Sequence, residues 1–147
     1  MRLPPSYDDV DFLGDTRLDE IEERPHIDNV DPPAAYHDLS LEFSAGIIPA
    51  SIAQWLKPYQ VEGVAFLHKL FVYQKGGILG DDMGLGKTIQ VIAALTTAFG
   101  KTGDERDADR MRNMRRAKTT RWYPRVLLIC PGSLISNWKS ELERWGW

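Results

Sequence analysis

Lys87 and Thr88 close the stretch "ILGDDMGLGKTIQ", just behind Gly84 and Gly86. An ammonium and a hydroxyl placed directly after a glycine-rich turn are the groups that hold a polyphosphate and its divalent cation. The glycines let the backbone wrap the anion, the lysine supplies a point charge for the β and γ phosphates, and the hydroxyl is a ligand for Mg²⁺. The run Asp82, Met83, Gly84, Leu85, Gly86, Lys87 and Thr88 is therefore a candidate phosphate cradle, with Lys87 as its catalytic cation and Thr88 as its metal ligand. Against the strict pattern G-x-x-x-x-G-K-[ST], only the first position departs, where Asp81 stands in place of glycine. A glycine-rich turn carrying a solvated lysine is the competing reading of the same string.

Such a cradle works only between a strand and a helix, where unpaired backbone N–H groups and the helix dipole converge on an anion. The flanks fit. "GGIL" (76–79) has the length and composition of a short strand, and "TIQVIAALTTAF" (88–99) is a helix apolar nearly all round, hence buried, with Gly100 as its stop. "RVLLIC" (125–130) reads as a second strand of the fully buried type, followed by the helix "SLISNWKSELERW" with Leu134, Trp138, Leu142 and Trp145 on one stripe. Upstream, "IIPASIAQWL" is a short helix with Pro49 near its first turn. Pro58 opens another helix in which Tyr59, Gly63, Phe66 and Leu70 recur at helical spacing. The order helix, strand, helix, insert, strand, helix predicts an α/β fold, the beginning of a parallel sheet flanked by helices.

At 147 residues the chain is long enough for one ordinary domain, and its 43% hydrophobic content can build a core. The net charge of -3 conceals an asymmetry: residues 1–45 carry twelve acidic against three basic side chains, and the remainder fifteen basic against nine acidic. An acidic, proline-containing leader with few large apolar residues buries little surface, so 1–45 is expected to be mostly disordered and 46–147 to be the folded unit. Docking of the leader onto a basic surface is the other reading. Residues 101–125 form a basic insert of nine basic and four acidic residues between two units normally joined by a short loop. Its helix-compatible middle, Arg106 to Lys118, suits a phosphate backbone, with Trp122 and Tyr123 for stacking; a solvated surface insertion is the plainer account. No apolar run approaches the roughly 18 residues needed to span a bilayer, and the N-terminus lacks the pattern of a secretory signal, so a soluble intracellular protein without a membrane partner is expected. Cys130, directly after "VLLI", reads as a buried free thiol, and His26, His37 and His68 have no metal-like grouping.

Three segments together carry a family resemblance. "LKPYQVEGVAFL", "GGILGDDMGLGKTIQVIAAL" and "LLICPGSLISNWKSELERW" resemble, in order, the Gln motif, the P-loop and the third conserved segment of the Swi/Snf-like DNA-dependent ATPases, superfamily-two, helicase-like motors with paired RecA-like lobes. An acidic residue opens the P-loop in that family, so the resemblance makes Asp81 an expected residue; the family's usual Ala and Glu are Gly80 and Asp82 here. The resemblance covers about residues 47–147 and is strongest to the Cockayne-syndrome-B-like, excision-repair branch. It implies an incomplete RecA-like P-loop lobe that uses ATP and Mg²⁺, acts on duplex DNA in repair or chromatin remodelling, has chromatin or repair/transcription complexes as further partners, and resides in the nucleus. It places Gln60 on the adenine-reading glutamine, a role that a carboxamide, donor and acceptor at once, suits chemically. A solvated helix glutamine is the alternative. Tyr59 lies beside the base or is a half-buried core tyrosine. Pro131, Gly132, Ser133 and Asn137 fall in the segment near the nucleic-acid strand in related motors, although Ser133 also suits a helix N-cap.

Hydrolysis further needs an acidic group for Mg²⁺ and water, and cations for the developing γ-phosphate charge. In the resembled family these come from an Asp-Glu box and a second lobe, which lie beyond Trp147. The expectation is a DNA translocase whose 147-residue portion is inactive alone; the other is a truncated, non-catalytic nucleotide-binding or interaction fragment.

Overall fold

The structure, a computed structural model, describes residues 22–108 and 125–146. Residues 1–21 of the leader and the middle of the basic insert, with Trp122 and Tyr123, lie outside the described residues. A short antiparallel hairpin comes first: β1 (Leu39–Leu41) pairs with β2 (Gly46–Ile48), Leu39 opposite Ile48 and Leu41 opposite Gly46. Among the described residues there follow the helices α1 (Ala50–Ala53), α2 (Pro58–Val72), α3 (Lys87–Ala98) and, after a 3₁₀ turn at Gly132–Leu134, α4 (Ile135–Trp145). Pro58 occupies the first turn of α2, where its missing N–H costs nothing, and Gly100 with φ of 58° ends the turn that closes α3.

The core lies where α2 and α3 pack against each other and against the hairpin and α1. Ile48, Ile52, Leu56, Val64, Ile92 and Ala93 are buried there, with Trp145 closing one side. On α2 the buried stripe is Gln60, Val64 and His68; of the broad apolar face expected there, Val64 is buried and Leu67 packs against the core, Gly63 and Leu70 are half-buried, and Tyr59, Phe66 and Phe71 are exposed. The offset arises because two polar side chains take core-facing positions with hydrogen bonds of their own. His68 Nδ1 pairs with Ser44 Oγ at 2.8 Å, and burial pushes its imidazole below the ordinary pKa. A pattern read from apolar residues alone misses such positions.

The expected parallel sheet is not present among the described residues. "GGIL" and "RVLLIC" adopt neither strand nor helix, and their apolar side chains face solvent: Ile78 is 88% exposed, Leu127 85% and Ile129 86%. A central parallel strand gains its hydrogen bonds and burial from neighbours on both sides, and the only sheet among the described residues is the two-stranded hairpin. Cys130 is accordingly half-buried rather than buried. Trp138 and Trp145 do contact the core as expected, while Leu134 and Leu142 of the same stripe are exposed.

Among the described residues order begins well before residue 46, and 22–45, part of the leader expected to be mostly disordered, is tied into the fold. Asp38 Oδ1 accepts the Ala50 N–H at the start of α1 (2.8 Å), and the Ala34 N–H donates to the Gln54 carbonyl. Arg24 Nη1 donates to the carbonyls of Glu143 (2.6 Å) and Gly146 (3.1 Å), placing a cation on the C-terminal end of α4, where the helix dipole favours it. Glu23 bridges antiparallel to Asp104 and accepts the Tyr36 hydroxyl proton at 2.5 Å, a contact that pushes the phenol up to about 12. The start of the insert is likewise folded. Asp107 is buried and accepts from the backbone N–H groups of Thr102 and Gly103, and Asp104 forms a two-pronged pair with Arg106 that holds its carboxyl below the usual range. The charge of Arg106 is therefore committed within the fold rather than offered to a phosphate backbone.

Candidate functional site

The loop from Asp81 to Gly86 runs directly into α3. Gly84 (φ 86°) and Gly86 (φ 77°) both adopt left-handed backbone, the conformation that their residue type permits at least cost, and Gly86 is the N-cap of α3. Nothing lies within 4 Å of where a side chain on Gly84 would start, so the loop's outer face is open, whereas a Cβ on Gly86 would come 2.4 Å from Gln60 Nε2. Close approach is required at Gly86. Lys87 is the first residue of α3, and its ammonium donates to the carbonyls of Asp81 (2.5 Å) and Asp82 (2.9 Å), so it folds over the loop from the helix side. Thr88 follows on the first turn, half-buried. Asp82, Met83 and Leu85 are exposed along the loop, Met83 almost completely.

Gln60 reaches this loop from α2. Its Oε1 accepts the Lys57 N–H (2.9 Å), capping α2, and its Nε2 donates to the Leu85 carbonyl (3.1 Å). The Tyr59 hydroxyl donates to the same carbonyl at 3.2 Å. Gln60 is buried, so the solvated-glutamine reading is excluded. Two residues 25 and 26 positions upstream thus converge on one carbonyl of the cradle.

Pro131, Gly132, Ser133 and Asn137 are all exposed, at the 3₁₀ turn and the first turn of α4. Ser133 caps neither helix: the N-cap of the 3₁₀ turn is Pro131, that of α4 is Leu134, and neither has a side-chain cap bond. The group sits at the N-terminal end of α4. Its helix α4 faces the far part of α3 across an apolar cleft of about 820 Å³ lined by Ile92, Leu95, Phe99, Leu128, Cys130 and Trp138.

Sequence reasoning missed Gln90. It is fully buried on the first turn of α3, and its Nε2 donates to Asp81 Oδ2 at 2.8 Å. Its Oε1 is buried with no hydrogen-bond partner and points at Gly63 of α2, where any Cβ would lie 1.7 Å away. The signal available in the sequence was a glutamine inside an otherwise apolar helix, opposite a glycine in another.

A left-handed glycine loop, a helix N-terminus and a lysine folded over both are the parts from which phosphate sites of the nucleotide-binding type are built. Residues 59–146 match the model of the SNF2-related domain, and the chain belongs to this family. It is 47% identical over 98 residues to Switch 2 of Arabidopsis thaliana, which covers 67% of this chain and 10% of that protein. It is 34% identical over 131 residues to the DNA excision repair protein ERCC-6-like 2 of Mus musculus, covering 85% of this chain and 8% of that protein. Against the mouse chromodomain-helicase-DNA-binding protein 1-like it is 43% identical over 89 residues, 60% of this chain and 8% of the other. The chain thus spans a tenth or less of the length of these relatives. The match agrees with the Swi/Snf-like resemblance of the three motifs, including its excision-repair branch.

Proposed function

We propose that this chain forms the ATP-binding part of the first lobe of a DNA-dependent ATPase that translocates on duplex DNA in the nucleus, in repair or chromatin remodelling. The observation that carries this reading is the cradle itself: Lys87 at the N-terminus of α3, behind two left-handed glycines, with Gln60 packed against the same loop. The names of two relatives, one a DNA excision repair protein and one a chromodomain-helicase-DNA-binding protein, support the DNA substrate and the two processes.

The residues fit Mg-ATP. The ammonium of Lys87 rests on two carbonyl oxygens, partners that anionic phosphate oxygens outbid, and the outer face at Gly84 is open to them. Asp82, Met83, Gly84, Leu85 and Gly86 wrap the phosphates with their backbone, Lys87 draws the β and γ oxygens toward α3, and Thr88 holds the cation through its hydroxyl. When bound, Mg²⁺ neutralises the charge developing between the β and γ phosphates. Gln60 reads the adenine edge by exchanging one of its two internal hydrogen bonds for the base. Pro131, Gly132, Ser133 and Asn137 present an exposed turn and helix N-terminus to the DNA backbone.

In the intact protein, Lys87→Ala is expected to lower DNA-stimulated phosphate release by about a hundredfold or more, the order seen when one preorganised charge-stabilising group is removed. Duplex DNA affinity is expected to stay within about twofold, because Lys87 lies on the nucleotide side. Retained turnover in the variant would remove Lys87 and its loop as the site of hydrolysis. Mg-ATP binding without any turnover in the wild-type protein would favour a non-catalytic nucleotide-binding protein.

A further inference from the structure

An aspartate at the start of a phosphate loop is electrostatically adverse, since its carboxylate adds negative charge where an anion must sit. The structure places that carboxylate against α3. Asp81 Oδ2 accepts from Gln90 Nε2 at 2.8 Å, and Gln90 is fully buried between α3 and Gly63 of α2. The amide must face this way, because turning it over would set its oxygen against the carboxylate. Asp81 is thereby gripped twice by the first turn of one helix: its carbonyl by Lys87 and its side chain by Gln90, three residues on. The first grip must be released for Lys87 to reach a phosphate; the second need not be.

We infer that Gln90 and Asp81 form a positioning pair for the phosphate loop: Gln90 anchors the Asp81 carboxylate to α3, so that the loop keeps its shape when the Lys87 ammonium leaves the carbonyls of Asp81 and Asp82 for the nucleotide. The pair touches neither base nor phosphate and acts through the loop. Gly63 belongs to the same arrangement, because only a residue without a side chain leaves room for the buried amide. This assignment rests on the ATP-binding reading above.

The sign of one substitution separates the pair from its alternative. If Asp81 were merely an acidic neighbour of an anion, Asp81→Ala would tighten Mg-ATP; if it anchors the loop, the same change weakens it. In the intact protein, titrated with a fluorescent ATP analogue and Mg²⁺, Asp81→Ala and Gln90→Leu are each expected to weaken binding about tenfold, the worth of a hydrogen bond to a charged group. Asp81→Asn, whose amide oxygen still accepts from Gln90, should remain within about threefold of wild type. The double variant Asp81→Ala/Gln90→Leu should be no weaker than either single one, since each already removes the shared contact. Amide hydrogen exchange of residues 81–87, measured without nucleotide, should quicken in Asp81→Ala and stay at the wild-type rate in Asp81→Asn. Binding by Asp81→Ala as tight as wild type, equal weakening by Asp81→Asn, or fully additive losses in the double variant would overturn the pair. If Gln90→Leu fails to fold, the two Asp81 variants decide. Should the wild-type protein bind no Mg-ATP, the ATP-binding reading falls, while unchanged exchange in Asp81→Ala would separately overturn the anchor.

Discussion

Gln60 carries two jobs on one carboxamide, capping α2 through the Lys57 N–H and fastening the loop through the Leu85 carbonyl, and reading the adenine edge is the third that we propose for it. A group already satisfied at both ends can read a base only by exchanging partners, which links recognition of the base to release of the loop. Gln60→Ala is therefore expected to weaken ATP more than GTP, reducing the preference between them by about tenfold, the worth of one or two hydrogen bonds. Competition of each nucleotide against a fluorescent analogue measures the ratio. An unchanged ratio would leave Gln60 a structural cap alone. The residue's expected place at the site came from the resemblance of "LKPYQVEGVAFL" to the family's Gln motif; its contact with Leu85 was not legible, because it joins α2 to the loop before α3 across 25 positions.

At the scale of elements, the hairpin is fastened to α2 by a buried histidine. His68 sits on the same face as Val64 one turn further along α2, bonded to Ser44 in the turn after β1, and burial lowers its pKa below the usual 6.5. A depressed histidine binds fewer protons folded than unfolded, so its neutral form favours the native state. That contribution is fully present above about 6.5 and is lost as the pH falls from there through the folded value. Urea unfolding of the intact protein at pH 8 and pH 5.5 is expected to show a loss of stability toward acid that His68→Gln, neutral at both, diminishes. An identical pH dependence in the variant would show that His68 does not carry it. The helices α2 and α3 were readable from Pro58, Gly100 and the apolar run between Ile89 and Ala98. The buried face of α2 was not, since Gln60 and His68 become acceptable in a core only once Leu85 and Ser44 are beside them.

At the scale of the whole molecule, apolar segments lie on the surface: Ile78, Met83, Leu127 and Ile129 are each more than four-fifths exposed, and Val126 about half. Contiguous apolar surface of this kind favours association or incomplete folding. We expect the 147-residue chain, purified alone, to bind a hydrophobic dye, to unfold in urea without a sharp cooperative transition and to show no DNA-stimulated phosphate release. A steep transition together with DNA-dependent turnover would contradict all three. The N-terminal segment works against this tendency, since Arg24 seals the end of α4 and Glu23 pairs beside Asp104, yet it covers neither 76–79 nor 125–130.

What the sequence by itself determined is local: a glycine-rich turn needs left-handed backbone at Gly84 and Gly86, a proline opens α2, an apolar run makes α3, and the order of three motifs names the family. These depend on propensities and spacings within a few residues. Tertiary structure alone decided the rest. Apolar composition made 76–79 and 125–130 look like sheet, but strand formation requires a neighbour to share hydrogen bonds, and composition cannot supply one. An acidic leader looked unable to fold, but residues 22–45 gain their burial and partners from helices that follow much later in the chain. The loop's anchoring by Gln90 was equally hidden, because the worth of a polar side chain in a helix depends on whether a carboxylate from elsewhere arrives to accept its proton.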